Sequence, residues 1–177
     1  YHHGESSLNG AIIGLAQNFV GANNINLFEP KGQFGTRLQG GKDSASERYI
    51  FTNLNPLTRY IYPSLDDNVL KYLDDDGTPV EPVYYAPIIP MILINGSKGI
   101  GTGFSSDILP YNPLSIIDYV IATIQNKEKP QVLPYFQGFK GIITPINSSK
   151  YLIKGKYDII SDNQVRVYEL PVGTWND

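Results

Sequence analysis

Lys42-Asp43-Ser44-Ala45-Ser46-Glu47-Arg48-Tyr49-Ile50-Phe51-Thr52 is the stretch around which this chain is organised. A loop rich in glycine and serine ends here, and the β-formers at residues 49–52 predict a strand. Side chains at such a junction are both exposed and held in place. The junction therefore presents a phenol next to a guanidinium.

This Arg-Tyr pair has the residue types that phosphoryl transfer needs. A tyrosine hydroxyl is protonated at neutral pH, so as a nucleophile it needs a base nearby. The attacked phosphate gathers negative charge, which a guanidinium neutralises through two hydrogen bonds. The chain has 13 tyrosines, so an adjacent Arg-Tyr pair also arises by chance. The pair alone fits a catalytic tyrosine or an ordinary surface one.

Length and composition describe a globular chain. Its 177 residues, 41% of them hydrophobic, are enough to bury the core of one or two domains. No run of about 18 apolar residues occurs, so we expect no membrane span. The absence of cysteine excludes disulfides, thiolate chemistry and cysteine-based zinc sites. No targeting signal is visible at the start, and we expect the chain to be a piece of a longer polypeptide.

The charge pattern qualifies the acidic average. A net charge of −3 argues against a nucleic-acid binder. Cations nevertheless outnumber acids between residues 31 and 60, while acids concentrate between residues 66 and 81. The cations of the first region are Lys31, Arg37, Lys42, Arg48 and Arg59, against Asp43 and Glu47. A local basic face can therefore coexist with the acidic total.

The spacing of apolar residues predicts an amphipathic helix over residues 5–19. Its apolar face comprises Leu8, Ala11, Ile12, Leu15, Ala16 and Phe19. Its other face comprises Ser6, Asn9, Gly10, Ile13 and Gln17. These groups are small and uncharged, which suits insertion into a DNA major groove, although an ordinary solvent face has the same pattern.

The loop after this helix, residues 31–43, combines glycines with side chains that donate to phosphate. It lacks the Gly-Lys-Ser/Thr ending of a nucleotide-binding loop, which argues against nucleotide binding. A contact with the DNA backbone remains open, with Arg37 and Lys42 as the donors.

The rest of the chain gives weaker local signals. We predict a short strand at residues 25–28, a short helix at 56–62, and another helix that Asp66 or Asp67 caps and that includes residues 69–73. Residues 74–77 predict a solvated turn rather than a metal site. Residues 81–90 predict an extended segment, residues 91–94 a buried strand, and residues 95–103 a glycine loop. Ile100 in that loop is either packed on the core or a wedge between base pairs.

The second half predicts an α+β module. Asn112-Pro113 is a helix start, and the apolar period continues to about residue 126. Residues 127–134 predict a linker. Alternating apolar residues from 136 onward predict strands with a turn at residues 161–163. The change in composition places a domain boundary between residues 85 and 110.

Four ordered stretches carry a family resemblance: YHHGESSL at residues 1–8, GQFGTR at 32–37, GGKDSASERYIFT at 40–52 and INGSKGIGTG at 94–103. Together they resemble the DNA-breakage region of eukaryotic-type DNA topoisomerases II, the type IIA enzymes. Three departures from the family pattern are Phe104 in place of a tryptophan, Ser97-Lys98 in place of Ala-Glu, and Phe139 in place of a tryptophan.

The resemblance implies an α+β fold in which residues 1–90 are the C-terminal part of a winged-helix DNA-cleavage domain and residues 91–177 the N-terminal part of a tower domain. It implies an ATP-dependent enzyme that cuts both DNA strands through a 5′-phosphotyrosyl link, passes a duplex and religates. The alternative is a non-enzymatic winged-helix DNA-binding module, for which the helix and the basic loop would suffice.

The resemblance also assigns roles to residues. Tyr49 is expected to be the nucleophile, Arg48 to steady the phosphate, and His3 to lie beside the cleaved bond. The DNA contacts expected from the resemblance or from the helix and loop patterns are Tyr1, Ser7, Gln17, Arg37, Lys42, Asn95 and Ile100, of which Ile100 is the intercalating wedge.

The same resemblance implies that the full-length enzyme uses Mg²⁺ and ATP, both bound outside these residues, so we expect no metal ligand here and an inactive fragment. The expected partners are double-stranded DNA and a second copy of the full-length chain, with no membrane. The expected location is the nucleus for a cellular eukaryote, or the host cytoplasm or virion for a virus.

Overall fold

A computed structural model describes residues 4–176 and confirms a mixed α and β fold. The helices are α1 (Glu5–Ala16), α2 (Thr58–Ile61), α3 (Met91–Ile94) and α4 (Pro113–Ile124), with 3₁₀ turns at Glu47–Tyr49 and Ser64–Asn68. The strands are β1 (Tyr72–Asp75), β2 (Thr78–Pro82), β3 (Ser97–Gly101), β4 (Phe104–Ile108), β5 (Ile142–Pro145), β6 (Tyr151–Lys154), β7 (Lys156–Ser161) and β8 (Gln164–Glu169). Consecutive strands pair as four antiparallel hairpins, and within the described residues these hairpins do not join into a larger sheet.

The two long helices follow their sequence signals. Helix α1 ends three residues earlier than predicted, because Gln17 takes an extended conformation with φ −61° and ψ 134°. Helix α4 begins as predicted. The Asn112 side chain accepts hydrogen bonds from the Leu114 and Ser115 amides at 2.9 and 3.4 Å, and Pro113 occupies the first turn.

The hydrophobic core is assembled around α3. Its buried members are Ile61, Met91, Ile94 and Ile116, and Ile25, Leu27, Tyr62, Ile89, Leu93, Tyr111, Val120 and Val132 pack against them. This cluster takes residues from both sides of position 90. The proposed division into domains 1–90 and 91–177 stays a prediction.

Asn24 joins segments that are far apart in the chain. Its Nδ2 donates to the carbonyls of Ile94, Tyr111 and Tyr135 at 2.8, 3.1 and 3.0 Å. Its Oδ1 accepts from the Gln137 amide at 2.8 Å. Asparagine supplies two donor hydrogens and an acceptor on one rigid amide, so this side chain can serve several backbones at once.

The predicted strand at residues 91–94 is wrong, because this segment is the helical turn α3. The amides of Leu93 and Ile94 donate to the Pro90 carbonyl at 2.9 and 3.3 Å, and the Asn95 amide donates to Met91 at 2.9 Å. A run of four apolar residues fits a buried helical turn as well as a buried strand.

The predicted strand at residues 49–52 is also wrong. Tyr49 ends a 3₁₀ turn, and within this run only Phe51 forms a bridge, its backbone exchanging hydrogen bonds of 3.0 and 3.1 Å with Lys31. The predicted strand at 25–28 is likewise reduced to a bridge between Phe28 and Leu54. These segments hold β-formers but lack a partner strand of matching length.

Four other local predictions have mixed outcomes. The helix predicted after Asp66 is a 3₁₀ turn that ends before Val69, and residues 72 and 73 already belong to β1. The solvated turn at 74–77 is confirmed as the end of the β1–β2 hairpin, with Asp76 and Gly77 at φ 50° and 84°. The glycine loop at 95–103 is mostly the hairpin of β3 and β4. The turn at 161–163 is confirmed between β7 and β8.

Candidate functional site

Tyr49 lies on the surface, at the end of its 3₁₀ turn. The Tyr49 amide donates to the Ser46 carbonyl at 2.9 Å, which fixes the turn. The tyrosine is 73% exposed. The guanidinium carbon of Arg48 lies 5.9 Å from the centre of the Tyr49 ring. The phenol is therefore outside hydrophobic packing, with a cation beside it.

A cleft of about 170 Å³ lies between helix α1 and the segment that carries Tyr49. Its lining residues are Asn9, Ile12, Ile13, Phe34, Glu47, Ile50, Phe51 and Thr52. Asn9 and Ile13 belong to the helix face that was expected to meet DNA, and Glu47 and Ile50 flank Arg48 and Tyr49. The structure thus brings that helix face and the Arg-Tyr pair into one region.

The loop at residues 33–46, called here the clamped loop, leads into the 3₁₀ turn and is anchored from inside by Gln17. The Gln17 Nε2 donates to the carbonyls of Phe34 and Gly41 at 2.8 and 3.1 Å. A Cβ on Gly41 would lie 2.5 Å from the same nitrogen. Gln17 was expected to contact DNA, and both hydrogens of its amide are instead directed at the loop.

A second bond set lies inside the clamped loop. Asp43 accepts from the Thr36 amide at 2.8 Å and from the Thr36 hydroxyl at 2.6 Å. The Gly41 amide donates back to the Thr36 carbonyl at 2.8 Å. Both hydrogen bonds lower the pKa of Asp43 because they favour its charged form. The bond from the Thr36 hydroxyl has the larger effect and the bond from the Thr36 amide the smaller. Further along, the Ala45 amide donates to the Gln33 carbonyl at 2.9 Å.

The third anchor comes from the end of the chain. Arg37 Nη1 donates to Glu169, and Arg37 Nη2 donates to the Leu170 carbonyl at 2.8 Å. Glu169 is only 5% exposed and also accepts from the Lys140 amide at 2.9 Å. Trp175 packs so closely on Gly40 that a Cβ there would overlap its indole. Sequence reasoning missed Glu169, and no local signal marks it because it lies 132 positions from Arg37.

The local cations divide into those with an acidic partner and those without one. Lys31 lies 3.8 Å from Glu29, Arg59 lies 2.5 Å from Asp67, and Arg37 pairs with Glu169. Lys42 and Arg48 are exposed, and neither forms an ion pair within residues 4–176. The positive field near Tyr49 therefore depends chiefly on these two side chains.

Ile100 stands away from the core. It is 94% exposed on β3, opposite Ser105 of β4. Lys98 lies two residues earlier on the same hairpin face, with Nζ 3.8 Å from an oxygen of Asp107. Of the two interpretations of Ile100, the structure rules out packing on the core.

The other four expected site residues have different outcomes. Asn95 exchanges two hydrogen bonds with the Ile25 backbone, at 2.8 and 2.9 Å, so its amide binds protein. Ser7 is exposed on α1. Tyr1 and His3 lie outside the described residues.

Within residues 4–176, no group of three or more His, Asp or Glu side chains is arranged to hold a metal ion. The acidic run at residues 74–76 does not fit a metal site, because Asp74 Oδ1 accepts from the Gly77 amide at 2.9 Å within the hairpin turn. Across the same described residues, no helix has the length and apolarity that crossing a membrane requires.

Comparison with known proteins gives consistent matches. The family model for the A-subunit of DNA gyrase/topoisomerase IV matches residues 1–177. The chain is 53% identical over 175 residues to DNA topoisomerase 2 of Drosophila melanogaster, and the match covers 99% of this chain and 12% of that protein. It is 52% identical to DNA topoisomerase 2-alpha of Gallus gallus, with 99% and 11% covered.

A solved structure agrees. The DNA-binding, cleavage and re-ligation domain of Plasmodium falciparum topoisomerase II superimposes with a TM-score of 0.96 at 47% identity, covering 99% of this chain and 24% of that one. The fold is thus that of a topoisomerase region, and the chain belongs to the A-subunit family of DNA gyrase/topoisomerase IV. The eukaryotic-type resemblance is confirmed, and the chain spans about an eighth of its curated relatives, 12% of the fly protein.

Proposed function

We propose that this chain is the part of an ATP-dependent type IIA DNA topoisomerase that supplies the cleaving tyrosine. The observation that carries the proposal is the exposed Tyr49 phenol, 73% accessible, at the end of the turn that follows the clamped loop and beside the Arg48 guanidinium. A nucleophile that must reach a DNA phosphate has to be accessible and also fixed in direction.

The proposed step exchanges one phosphoester for another. The Tyr49 oxygen bonds to a DNA phosphorus, and the bond from that phosphorus to the 3′ oxygen of the neighbouring sugar breaks. The phenol proton leaves to a base, and the departing 3′ oxygen takes up a proton, so that no proton is gained or lost overall. A 5′-phosphotyrosyl link and a free 3′ hydroxyl result, and the reverse exchange reseals the strand. Arg48 neutralises charge on the phosphate as it is attacked. His3 is the proposed group beside that phosphate.

The proposed DNA-binding surface separates into direct contacts and supports. Ser7, Lys42 and Ile100 are exposed, which suits direct contact, and Ile100 suits insertion between base pairs. Tyr1 is proposed as a further contact. Gln17, Arg37 and Asn95 bond to protein groups, so we propose that they support the surface.

The wider assignments are proposals about the whole protein. We propose that residues 1–90 complete a winged-helix domain and that residues 91–177 begin a tower domain. Mg²⁺ and ATP would bind elsewhere in the polypeptide, and the enzyme would act as a homodimer on double-stranded DNA. The location would be the nucleus in a cellular eukaryote, or the host cytoplasm or virion for a virus.

The test replaces Tyr49 by Phe in the full-length protein. Loss of the covalent DNA adduct with DNA binding largely kept is expected, because only the attacking oxygen is removed. Tyr60→Phe is a matched control, since Tyr60 is 74% exposed, and it should form the adduct normally.

Two results would contradict the proposal. Absence of any adduct in the unaltered full-length protein would favour the non-enzymatic DNA-binding module. An adduct that survives Tyr49→Phe would assign the chemistry to another residue. The isolated 177 residues with magnesium are expected to form no adduct.

A further inference from the structure

Glu169 is a buried carboxylate at the end of β8, far from Tyr49 in sequence. It is 5% exposed and has two donors, Arg37 Nη1 and the Lys140 amide, the latter at 2.9 Å. A buried carboxylate is costly unless it is paired and hydrogen-bonded. The Arg37 guanidinium and the Lys140 amide are therefore held in fixed positions, whereas the two side chains of an exposed ion pair stay mobile.

Arg37 is directed at this carboxylate and at the backbone beside it. Its Nη2 donates to the Leu170 carbonyl at 2.8 Å. A phosphate that drew the guanidinium out to the surface would break both bonds and leave Glu169 buried without its cation. Such unpaired buried charges are strongly unfavourable.

Arg37 belongs to the clamped loop, which leads into the turn that ends at Tyr49. The residue before it, Thr36, bonds to Asp43 at 2.6 Å and to the Gly41 amide at 2.8 Å. The loop then continues directly into the Glu47–Tyr49 turn. A fixed Arg37 therefore restricts where the turn begins.

We infer that Glu169 is a positioning residue for DNA cleavage, which acts through Arg37 to hold the clamped loop and thereby the Arg48–Tyr49 turn. The inference rests on the proposed function of Tyr49. It assigns Arg37 to the support of the site rather than to the DNA surface.

The sign of the charge gives a sharp test. Glu169→Gln removes a negative charge near the proposed DNA surface, so it cannot weaken DNA binding by electrostatics. It does remove the anion that holds Arg37. A positioning role therefore predicts slower cleavage with unchanged or tighter binding.

The experiment uses the full-length enzyme with Glu169→Gln, Arg37→Gln and the double variant. Single-turnover adduct formation gives the cleavage rate at saturating DNA, and titrations at several salt concentrations give the Kd. Both single variants should cleave about 10- to 100-fold more slowly, since a displacement of roughly 1 Å has effects of that size. The double variant should be no slower than either single one, and the salt dependence of Kd should not change.

Asp67→Asn is the matched control, because Asp67 also pairs with an arginine, Arg59, outside the clamped loop. It should cleave at the normal rate. Glu169→Asp keeps the charge on a shorter side chain and should recover part of the rate that Glu169→Gln loses, which separates positioning from loss of folding.

The inference fails if Glu169→Gln cleaves at the normal rate. It also fails if Arg37→Gln weakens binding and lowers the salt dependence by about one phosphate contact, as a DNA-binding arginine would. A loss of binding and cleavage that follows reduced thermal stability, with no recovery in Glu169→Asp, contradicts it as well. Failure of the proposed function is distinct, because then the unaltered enzyme itself forms no Tyr49 adduct.

Discussion

The clamped loop at residues 33–46 and the β7–β8 hairpin are ordered by different means. The hairpin is held by its own backbone ladder, and apart from Glu169 its residues are exposed. The loop forms no strand and is held by side chains that are distant in sequence. Gln17 bonds to Gly41, which lies 24 positions later, and Glu169 bonds to Arg37, which lies 132 positions earlier. The geometry around Tyr49 therefore depends on a few distant side chains, whereas a hairpin tolerates most changes on its surface.

The strongest test of this contrast concerns Asn24, the asparagine that bonds to four backbone groups in three segments. Asn24→Ala leaves the carbonyls of Ile94, Tyr111 and Tyr135 without this donor. Since an unsatisfied buried group costs about 1–3 kcal/mol, we expect a loss of about 3–4 kcal/mol. Hydrogen exchange of the α3 and α4 amides should accelerate by more than about 100-fold.

Asn147→Ala is the control for that prediction. The Asn147 side chain also accepts backbone hydrogen bonds, from Ser149 at 3.0 Å and Lys150 at 2.9 Å, but only within its own turn. Its loss should cost about 1 kcal/mol and stay confined to the β5–β6 hairpin. Equal effects of the two substitutions would remove the distinction between distant and local anchoring.

A somewhat smaller effect is expected at Gly40 on the clamped loop. Gly40 has φ +61°, and an added Cβ would overlap the Trp175 indole. Gly40→Ala should destabilise the chain by about 2–3 kcal/mol, combining left-handed strain with overpacking. Gly77→Ala is the matched control, since Gly77 has φ +84° with nothing within 4 Å, and should cost only about 1 kcal/mol. Chemical denaturation measures both, and equal losses would show that Trp175 does not restrain the loop.

Acid should loosen the clamped loop through Asp43. The Thr36 hydroxyl and amide lower the pKa of Asp43 from 3.8. The contribution of Asp43 to the stability of the folded loop is therefore present above pH 3.8 and is lost as the pH falls through its lower pKa in the folded state. The chain has one tryptophan, Trp175, which contacts Gly40 on this loop, so its fluorescence can report the transition. Thr36→Val should move the transition to higher pH, and an unchanged midpoint would contradict the assignment.

Local signals predicted the elements that are complete within a short stretch. The start of α4 was predictable from its helix cap and apolar period, because Asn112 caps the helix and Pro113 occupies its first turn. The turn at Asp76-Gly77 was predictable because both residues suit positive φ. The run at Met91–Ile94 was not, because its choice between helix and strand depends on the surrounding core.

The site was predictable only in its exposed chemistry. Arg48 and Tyr49 are neighbours in sequence, so their pairing needed no structure. The sequence predicts Gln17 and Arg37 as DNA contacts, whereas both side chains donate to backbone carbonyls in the structure. A sequence shows that a side chain can donate a hydrogen bond but not which acceptor the fold brings to it. Glu169 illustrates the limit, since its partner is 132 positions away.

The smallest expected effect on stability is at Ile100, on the self-supporting β3–β4 hairpin. The side chain is 94% exposed, so Ile100→Ala removes almost no buried surface and should change the free energy of unfolding by less than about 0.5 kcal/mol. Under the proposed function, the same variant of the full-length enzyme should bend DNA less, as energy transfer between dyes on the DNA ends would measure. Leu114→Ala, on an exposed residue of α4 at 71% accessibility, controls for loss of an apolar surface group and should bend DNA normally. A stability loss above about 1 kcal/mol would mean that Ile100 packs on protein, and its role as a wedge would then be wrong, because a side chain that inserts between base pairs must be free in the unbound enzyme.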